Sequence, residues 1–160
     1  MFRKLVLGGM IAALYVVLTV SLAPLSYGPV QFRVAEALTL LPFYLSEAVP
    51  GLFVGCVIAN FFGGYGLIDV LVGGSATLLA AFLTQKTRRL WQAALPPVLV
   101  NALFIGVMLH LLTGIPLWST SIYIGVGQAG ACYLLGYPLM RALETNGILS
   151  RHTGRPEKTP

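Results

Sequence analysis

The stretch PVQFRVAEALTLLPFY, residues 29–44, places Gln31, Arg33 and Glu36 in an otherwise apolar part of the chain. Only 9% of all residues are Asp, Glu, Lys or Arg. Ionised groups near the depth of a bilayer are costly, so they are usually paired or functional. Because Arg33 and Glu36 are three residues apart, they can pair on one helix surface. The alternative is that one or both groups contact a polar ligand in an outer pocket.

A second polar group follows in GCVIANFFGGYGLID, residues 55–69. Asn60 needs partners because an unsatisfied buried amide costs about 1–3 kcal/mol, and bonding to a neighbouring helix is one way to find them. Asp69 begins a predicted helix, where an acid complements the helix dipole, but its position also suits a ligand amine. Tyr65 lies in the glycine-rich turn between them and offers an aromatic ring.

Further polar and aromatic residues are spread along the second half of the chain. His110 and Asn101 lie in one predicted helix and Gln128 in the next, and each has a structural explanation in helix-to-helix hydrogen bonding. Trp118 suits an aromatic belt at the membrane surface, and Phe32 adjoins Arg33. Acids, amides and aromatics around one mouth are the usual composition of a small-molecule site.

Composition predicts the environment of these residues. The chain has 160 residues, of which 57% are hydrophobic, against about 45–50% in ordinary soluble domains, and its mean hydropathy is +0.84. An integral membrane protein is therefore predicted. The net charge of +5 does not require nucleic acid as a partner. Cys56 and Cys132 lie in apolar runs outside any metal or redox motif, and no cofactor or nucleotide-binding loop is indicated.

Six apolar segments predict an all-α fold, a compact bundle of six transmembrane helices. The segments are 5–25, 34–46, 49–62, 67–84, 94–113 and 122–143. A crossing needs about 20 residues, so the second and third are either two short, tilted helices or a re-entrant hairpin. We expect a transmembrane domain over residues 1–145 and a polar, disordered tail over residues 146–160.

The basic residues predict the orientation of the bundle. Nine of the ten Lys and Arg residues fall on one face if there are six spans: Arg3, Lys4, Lys86, Arg88, Arg89, Arg141, Arg151, Arg155 and Lys158. Cytoplasmic loops carry such an excess, so both termini are predicted to be cytoplasmic. A single crossing through residues 34–62 would place Lys86, Arg88 and Arg89 outside, which argues against it.

The first span carries small residues at a spacing of four. Gly8 with Ala12, and Gly9 with Ala13, form stripes along which another helix can approach closely. The stripes serve either packing within this chain or docking to a separate membrane subunit.

The strings QFRVAEALTLLPFY and AVPGLFVGCVIANFFGGYGLIDVLVGGSATLLAA, with the stripe on span one, resemble the QueT family of queuosine-precursor transporters. These are substrate-binding S components of energy-coupling factor (ECF) importers. The resemblance implies a plasma-membrane protein that captures its ligand outside the cell. It also implies three partners, namely a transmembrane coupling subunit, docked through span one, and two cytoplasmic ATPases. The chain itself is then a transport subunit and not an enzyme.

The ligand implied by the resemblance is preQ1 or a related deazaguanine. We expect Glu36 to accept hydrogen bonds from the guanine-like edge and Asp69 to bind the aminomethyl ammonium, or the reverse. Supporting polar contacts are expected from Asn60, Gln31 and Arg33, and stacking or lid contacts from Tyr65, Phe32 and Trp118. Other hypotheses are an S component for another vitamin, an intramembrane enzyme that uses His110 with an acid, and a structural subunit.

Overall fold

The computed structural model describes residues 2–28 and 31–149, and within them it contains helices and no strand. The predicted all-α class is thereby confirmed. The elements are α1 Phe2–Ser21, α2 Ala23–Ser26, the 3-10 helix η1 Val34–Phe43, α3 Ala48–Asn60, α4 Leu67–Gln85, α5 Leu90–Ala93, α6 Leu95–Thr113, α7 Leu117–Ala129, the π-helical segment η2 Gly130–Gly136 and α8 Tyr137–Thr145.

Each of the six predicted apolar segments contains a helix. Among the described residues, three helical stretches are long and apolar enough to cross a membrane: Phe2–Ser21, Leu67–Gln85 and Leu90–Thr113. The helices η1 and α3 are shorter, at about 20 Å each, against a hydrocarbon core of about 30 Å. The last helical stretch, through α7, η2 and α8, is continuous from residue 117 to 145. Six crossings remain a prediction.

The core of the bundle is built around η1. Every residue from Ala35 to Phe43 is buried, so this helix is surrounded by protein on all sides. A run of ten residues is long for a 3-10 helix, whose hydrogen-bond geometry is poorer than that of an α-helix, and Pro42 lies inside it. The surrounding helices must therefore stabilise a conformation that the sequence does not strongly favour by itself.

The helices α1 and α3 run parallel and touch through glycines. A Cβ added at Gly51 would lie 2.6 Å from the backbone oxygen of Gly8, and one at Gly55 would lie 2.9 Å from Tyr15 Cβ. Side chains larger than hydrogen cannot occupy these positions without moving a helix. Gly8 and Ala12, from the stripe of small residues, thus pack within the chain.

The other close neighbour of η1 is the π-helical segment η2. A Cβ at Gly136 would lie 3.0 Å from the backbone oxygen of Ala37, and Cys132 Sγ is 3.6 Å from the backbone oxygen of Glu36. π-Helical turns are rare and occur often at functional sites. Here η2 contacts the turn of η1 that carries Glu36.

One end of the bundle, which we call the basic end, carries the start of α1, the η1–α3 turn and the end of α4. Lys4 Nζ contacts Glu47 Oε1 at 2.9 Å there, and this bond to Lys4 lowers the pKa of Glu47. The opposite end, which carries the α3–α4 turn, is called the site end. Beyond α8, Leu149 is 5% exposed and joins the core. Residues 150–160 of the predicted tail lie outside the described residues.

Candidate substrate-binding site

Arg33 is a buried cation bound by neutral groups. Its side chain donates from Nη1 to Asn60 Oδ1 at 3.0 Å, from Nη2 to Gln31 Oε1 at 3.4 Å and from Nε to the Ser26 backbone oxygen at 3.3 Å. The guanidinium lies over the Tyr27 ring, 5.4 Å from its centroid, a distance at which the cation is attracted to the ring face. The residue is 4% exposed.

Arg33 and Glu36 do not form an ion pair in the described part of the chain, whose salt bridges lie elsewhere. Arg33 precedes η1 with an extended backbone, at ψ 109°, so the helical spacing rule that suggested the pair does not apply to it. Gln31 has φ 46°, an uncommon conformation for a residue with a Cβ. This backbone brings both side chains into the protein, where they bond each other.

Glu36 is 1% exposed and accepts a hydrogen bond from a residue of α1. The Tyr15 hydroxyl donates to Glu36 Oε1 at 2.6 Å, while Glu36 Oε2 has no hydrogen-bond partner among the described residues. The Gln128 amide lies within hydrogen-bonding reach of this carboxylate. Its own Oε1 is buried without a partner in the part of the chain that the structure describes.

Asp69 provides a second unoccupied carboxylate. The residue is fully buried, and neither Oδ1 nor Oδ2 has a hydrogen-bond partner in the part of the chain described. No side chain caps the first turn of α4 by a hydrogen bond, so Asp69 is not an N-cap. A Cβ at Gly63 would lie 2.6 Å from Asp69 Oδ2, which places this oxygen against the glycine-rich turn.

Asn60 is hydrogen-bonded both to Arg33 and to the backbone of Asp69. Its Oδ1 accepts from Arg33, and its Nδ2 donates to the Asp69 backbone oxygen at 2.9 Å. A Cβ at Gly73 would collide with this amide nitrogen, so the glycine on α4 makes room for it. The predicted grouping of Arg33, Gln31, Asn60 and Asp69 is therefore present as one connected buried cluster.

The other predicted site residues lie apart from this hydrogen-bonded cluster. Phe32 is half-buried and packs against Gly130, and Tyr65 packs against the apolar cluster of Ile105, Met108, Leu109 and Ile124. His110 Nδ1 bonds the backbone oxygen of Ile115 at 2.7 Å, a structural contact at the end of α6. Trp118 is 70% exposed and Asn101 is buried within α6.

The buried cluster, together with Glu36 and Gln128, can accept hydrogen bonds from a ligand but has no arrangement for holding a metal. Among the described residues, no group of three or more His, Cys, Asp or Glu side chains is placed to hold a metal ion. Buried acceptors without partners cost about 1–3 kcal/mol each. A ligand that donates N–H groups to Glu36, Gln128 and Asp69 removes that cost, so this arrangement favours a ligand rich in donors.

Sequence comparison decides the family. The profile of the family described as QueT transporter matches residues 5–145. The chain belongs to the QueT transporter family. Together with its apolar helices, this membership makes it a multi-pass membrane protein of a transporter family.

A curated relative in the QueT family is also similar. The queuosine precursor transporter QueT of Lactococcus lactis subsp. cremoris (strain MG1363) is 44% identical over 71 residues. The matched region covers 43% of this chain and 41% of the relative. No solved structure matches the chain significantly.

Tyr15 is the main site residue of this QueT-family chain that sequence reasoning missed. The buried residues of α1 are Ile11, Ala12, Tyr15 and Thr19, at the spacing of one helix face. A tyrosine on the buried face of a membrane helix must place its hydroxyl on a partner. That signal was present in the sequence, although it does not say which partner is bound.

The two small-residue pairs of α1 differ in their surroundings. Ala12 is buried, whereas Gly9 and Ala13 are exposed, and nothing lies within 4 Å of a Cβ added at Gly9. An apolar groove of about 700 Å³ runs between α1 and α3 at the basic end, with Gly8, Gly9 and Ala12 in its lining. This groove is available for contact with another molecule.

Proposed function

We propose that this chain is the substrate-capture subunit of an ECF-type importer in the plasma membrane. It binds a queuosine precursor, preQ1 or a related deazaguanine, outside the cell and delivers it inward with an ATPase module. The observation that carries the proposal is a pair of buried carboxylates in a QueT-family chain. Glu36 and Asp69 have oxygens without hydrogen-bond partners among the described residues. The Lactococcus relative is named as a queuosine precursor transporter, which supports the same substrate class.

The free groups suit the chemistry of preQ1. A guanine-like edge carries a ring N–H and an exocyclic amine, which carboxylate and amide oxygens accept, and we assign this edge to Glu36. The aminomethyl group is protonated near neutral pH, and we assign it to Asp69. When both acids are ionised, Arg33, Glu36 and Asp69 together carry one excess negative charge, which the ammonium neutralises.

Arg33 provides donors for the remaining polar group of the ligand. A guanidinium has five N–H donors, and the three bonds made by Arg33 are to Asn60, Gln31 and the Ser26 backbone. The donors of Arg33 that make no bond within the described residues suit the keto oxygen of the base. Phe32 and Tyr65, both half-buried, are the stacking candidates, and the exposed Trp118 is a candidate lid residue.

The transport step requires partners. We propose that the segments 24–35 and 62–66 close over the ligand; Pro29 and Val30 of the first lie outside the described residues. The loaded chain then docks to a transmembrane coupling subunit through Gly9 and Ala13, beside the groove between α1 and α3. Two cytoplasmic ATPases supply the energy that reorients the chain. Both termini lie in the cytoplasm.

Direct binding tests this function. The purified chain in lipid nanodiscs is titrated calorimetrically with preQ1, its nitrile precursor preQ0, queuine and guanine. We expect the tightest binding for preQ1, because preQ0 and guanine lack the ammonium group that Asp69 would bind. If none of the four ligands binds, the proposed substrate class is wrong.

A further inference from the structure

The Asp69 side chain is held in place by packing rather than by hydrogen bonds. Its backbone is bonded on both sides, because its N–H donates to the Gly66 backbone oxygen at 3.2 Å and its own backbone oxygen accepts from Asn60 Nδ2 at 2.9 Å. The carboxylate has no hydrogen-bond partner in the described part of the chain. The direction of the carboxylate therefore depends on the surfaces that surround it.

Gly63, in the turn between α3 and α4, provides one of these surfaces. A Cβ added there would lie 2.6 Å from Asp69 Oδ2, 3.2 Å from the Asn60 backbone oxygen and 3.2 Å from Tyr27 Cε1. The first distance is too short for a real contact, whereas the other two would require only small shifts. Because Asp69 Oδ2 is the end of a side chain, the carboxylate is the group that would move.

The Tyr27 ring limits the space on another side of Gly63. Its hydroxyl donates to the Ala59 backbone oxygen at 2.6 Å, and the Arg33 guanidinium lies over its face, 5.4 Å from the ring centroid. These two contacts tie the ring to the end of α3 and to the polar cluster. A methyl group at Gly63 would therefore displace Asp69 more readily than Tyr27.

The negative charge of Asp69 is available to a ligand. Arg33, the cation of the same cluster, bonds neutral groups, and no ion pair within residues 2–28 and 31–149 includes Asp69. A ligand ammonium would supply both N–H donors and the opposite charge. Hydrogen bonds weaken steeply away from their preferred distance and angle, so a displaced carboxylate would lose much of this contact.

We propose that Gly63 is a positioning residue for ligand recognition, because the absence of a side chain there keeps the Asp69 carboxylate in the direction that receives the ligand ammonium. Gly63 acts through Asp69 and not through a contact of its own with the ligand. The inference rests on the proposed function, since it assumes that Asp69 binds the ammonium. It adds that the preference for an amine-bearing base is set by the α3–α4 turn, residues 61–66, which carries no charged side chain.

A double-mutant cycle between Gly63→Ala and Asp69→Asn tests this inference. Calorimetric titration with preQ1 in lipid nanodiscs measures the affinity of the wild type, the two single variants and the double variant. We expect Gly63→Ala to weaken preQ1 binding about tenfold in the wild type but less than about twofold in the Asp69→Asn background, because changes that act through one contact are not additive. The nitrile preQ0, which lacks the ammonium, should lose much less affinity than preQ1 in Gly63→Ala.

Gly64→Ala is the matched control for this cycle. It adds the same methyl group to the same turn, and nothing lies within 4 Å of a Cβ at Gly64. An effect of stiffening the turn would appear in both glycine variants and for both ligands. We expect Gly64→Ala to weaken preQ1 binding far less than Gly63→Ala does and to keep the preference for preQ1 over preQ0; equal losses in the two variants would overturn the inference.

The remaining outcomes separate this inference from the function beneath it. Full preQ1 affinity in Gly63→Ala, or an equal loss in the Asp69→Asn background, would overturn the positioning role. If Gly63→Ala does not fold, its combination with Asp69→Ala should fold, because the group at 2.6 Å is then removed; failure of that combination would also overturn the inference. Failure of the wild type to bind preQ1 would instead reject the proposed function, together with the inference that depends on it.

Discussion

At the scale of single residues, the two carboxylates distinguish the proposed ligand site from a purely structural cluster. A structural acid in a membrane protein normally has its oxygens satisfied. Within residues 2–28 and 31–149, however, neither oxygen of Asp69 and only one oxygen of Glu36 has a hydrogen-bond partner. Glu36→Gln and Asp69→Asn keep the size of each side chain and remove its charge. We expect either change to weaken preQ1 binding about ten- to a hundredfold, since hydrogen bonds to charged groups contribute about 1.5–3 kcal/mol.

Calorimetric titration of the two variants measures this loss, and Glu47→Gln is the matched control. Glu47 is paired with the exposed Lys4 at the basic end, and an exposed ion pair contributes little. Its variant should bind preQ1 as the wild type does. Full affinity in both Glu36→Gln and Asp69→Asn would place the ligand elsewhere in the chain.

The hydrogen bonds of Arg33 lead to a separate prediction, which concerns the stability of the ligand-free chain. Lysine keeps the positive charge at this position but lacks the planar fork that reaches Asn60, Gln31 and the Ser26 backbone together. Arg33→Lys should therefore leave a buried acceptor unpaired and destabilise the ligand-free chain by about 1–3 kcal/mol. The midpoint of thermal unfolding in detergent measures this change.

Arg141→Lys is the control for that measurement, because Arg141 lies at the basic end in a long contact of 3.8 Å with Glu144. Its midpoint should stay close to that of the wild type. An unshifted midpoint for Arg33→Lys would mean that the three acceptors find other donors or that water reaches them.

At the scale of helices, the close contact between α1 and α3 depends on glycines, whose side chain is a single hydrogen atom. Alanine is favoured over glycine by about 1 kcal/mol within a helix, but at Gly51 the new Cβ would lie 2.6 Å from the Gly8 backbone oxygen and 3.2 Å from Gly8 Cα. Backbone atoms cannot move aside as a flexible side chain does, and overpacking costs about 1–3 kcal/mol. Gly51→Ala should therefore lower the unfolding midpoint of the purified chain.

A glycine-to-alanine substitution at an uncrowded position of α1 should have no such destabilising effect on the unfolding midpoint. Nothing lies within 4 Å of a Cβ at Gly9, so Gly9→Ala should gain helix propensity without overlap, and the midpoint should stay level or rise. A similar drop for both variants would mean that glycine is required along α1 for a reason other than the contact with α3.

Helix positions were predictable from sequence, whereas the directions of individual side chains were not. Each of the six predicted apolar segments contains a helix because hydropathy is a property of the local chain, whereas the short α5 lies outside all six. The predicted pairing of Arg33 with Glu36 assumed that both lie on a helix, but Arg33 is extended and precedes η1. The bond between Tyr15 and Glu36 spans 21 residues and depends on how α1 and η1 are rotated against each other, which no local pattern specifies.

At the scale of the whole molecule, the proposed docking surface can be separated from the ligand site. Gly9 and Ala13 are exposed on α1, while Glu36 and Asp69 are buried inside the bundle. Ala13→Leu adds bulk where a partner helix would approach closely. We expect it to keep the affinity for preQ1 and to reduce co-purification with the coupling subunit and uptake of preQ1 by cells at least tenfold.

Met10→Leu is the control for docking, since Met10 is 64% exposed on the same helix and the exchange conserves volume. It should assemble and transport normally. Normal assembly and uptake in Ala13→Leu would reject this face of α1 as the docking surface, while leaving the ligand site untouched.

The orientation of the bundle and the path of residues 34–62 can be measured with single cysteines. The native Cys56 and Cys132 are buried, so an impermeant maleimide should not label the wild type. Thr113→Cys at the site end should be labelled on intact cells. Ser46→Cys, in the exposed turn between η1 and α3 at the basic end, should be labelled only in inverted vesicles, because basic loops stay in the cytoplasm.

Ser46→Cys also distinguishes the two possible paths of this segment. Two crossings bring Ser46 to the cytoplasmic surface, even though η1 and α3 are each only about 20 Å long. A re-entrant hairpin would instead leave the turn within the bilayer, where the reagent cannot reach it from either side. Labelling of Ser46→Cys from outside the cell would invert the orientation and move the Arg33–Asp69 cluster to the cytoplasmic half, where it could not capture an external base.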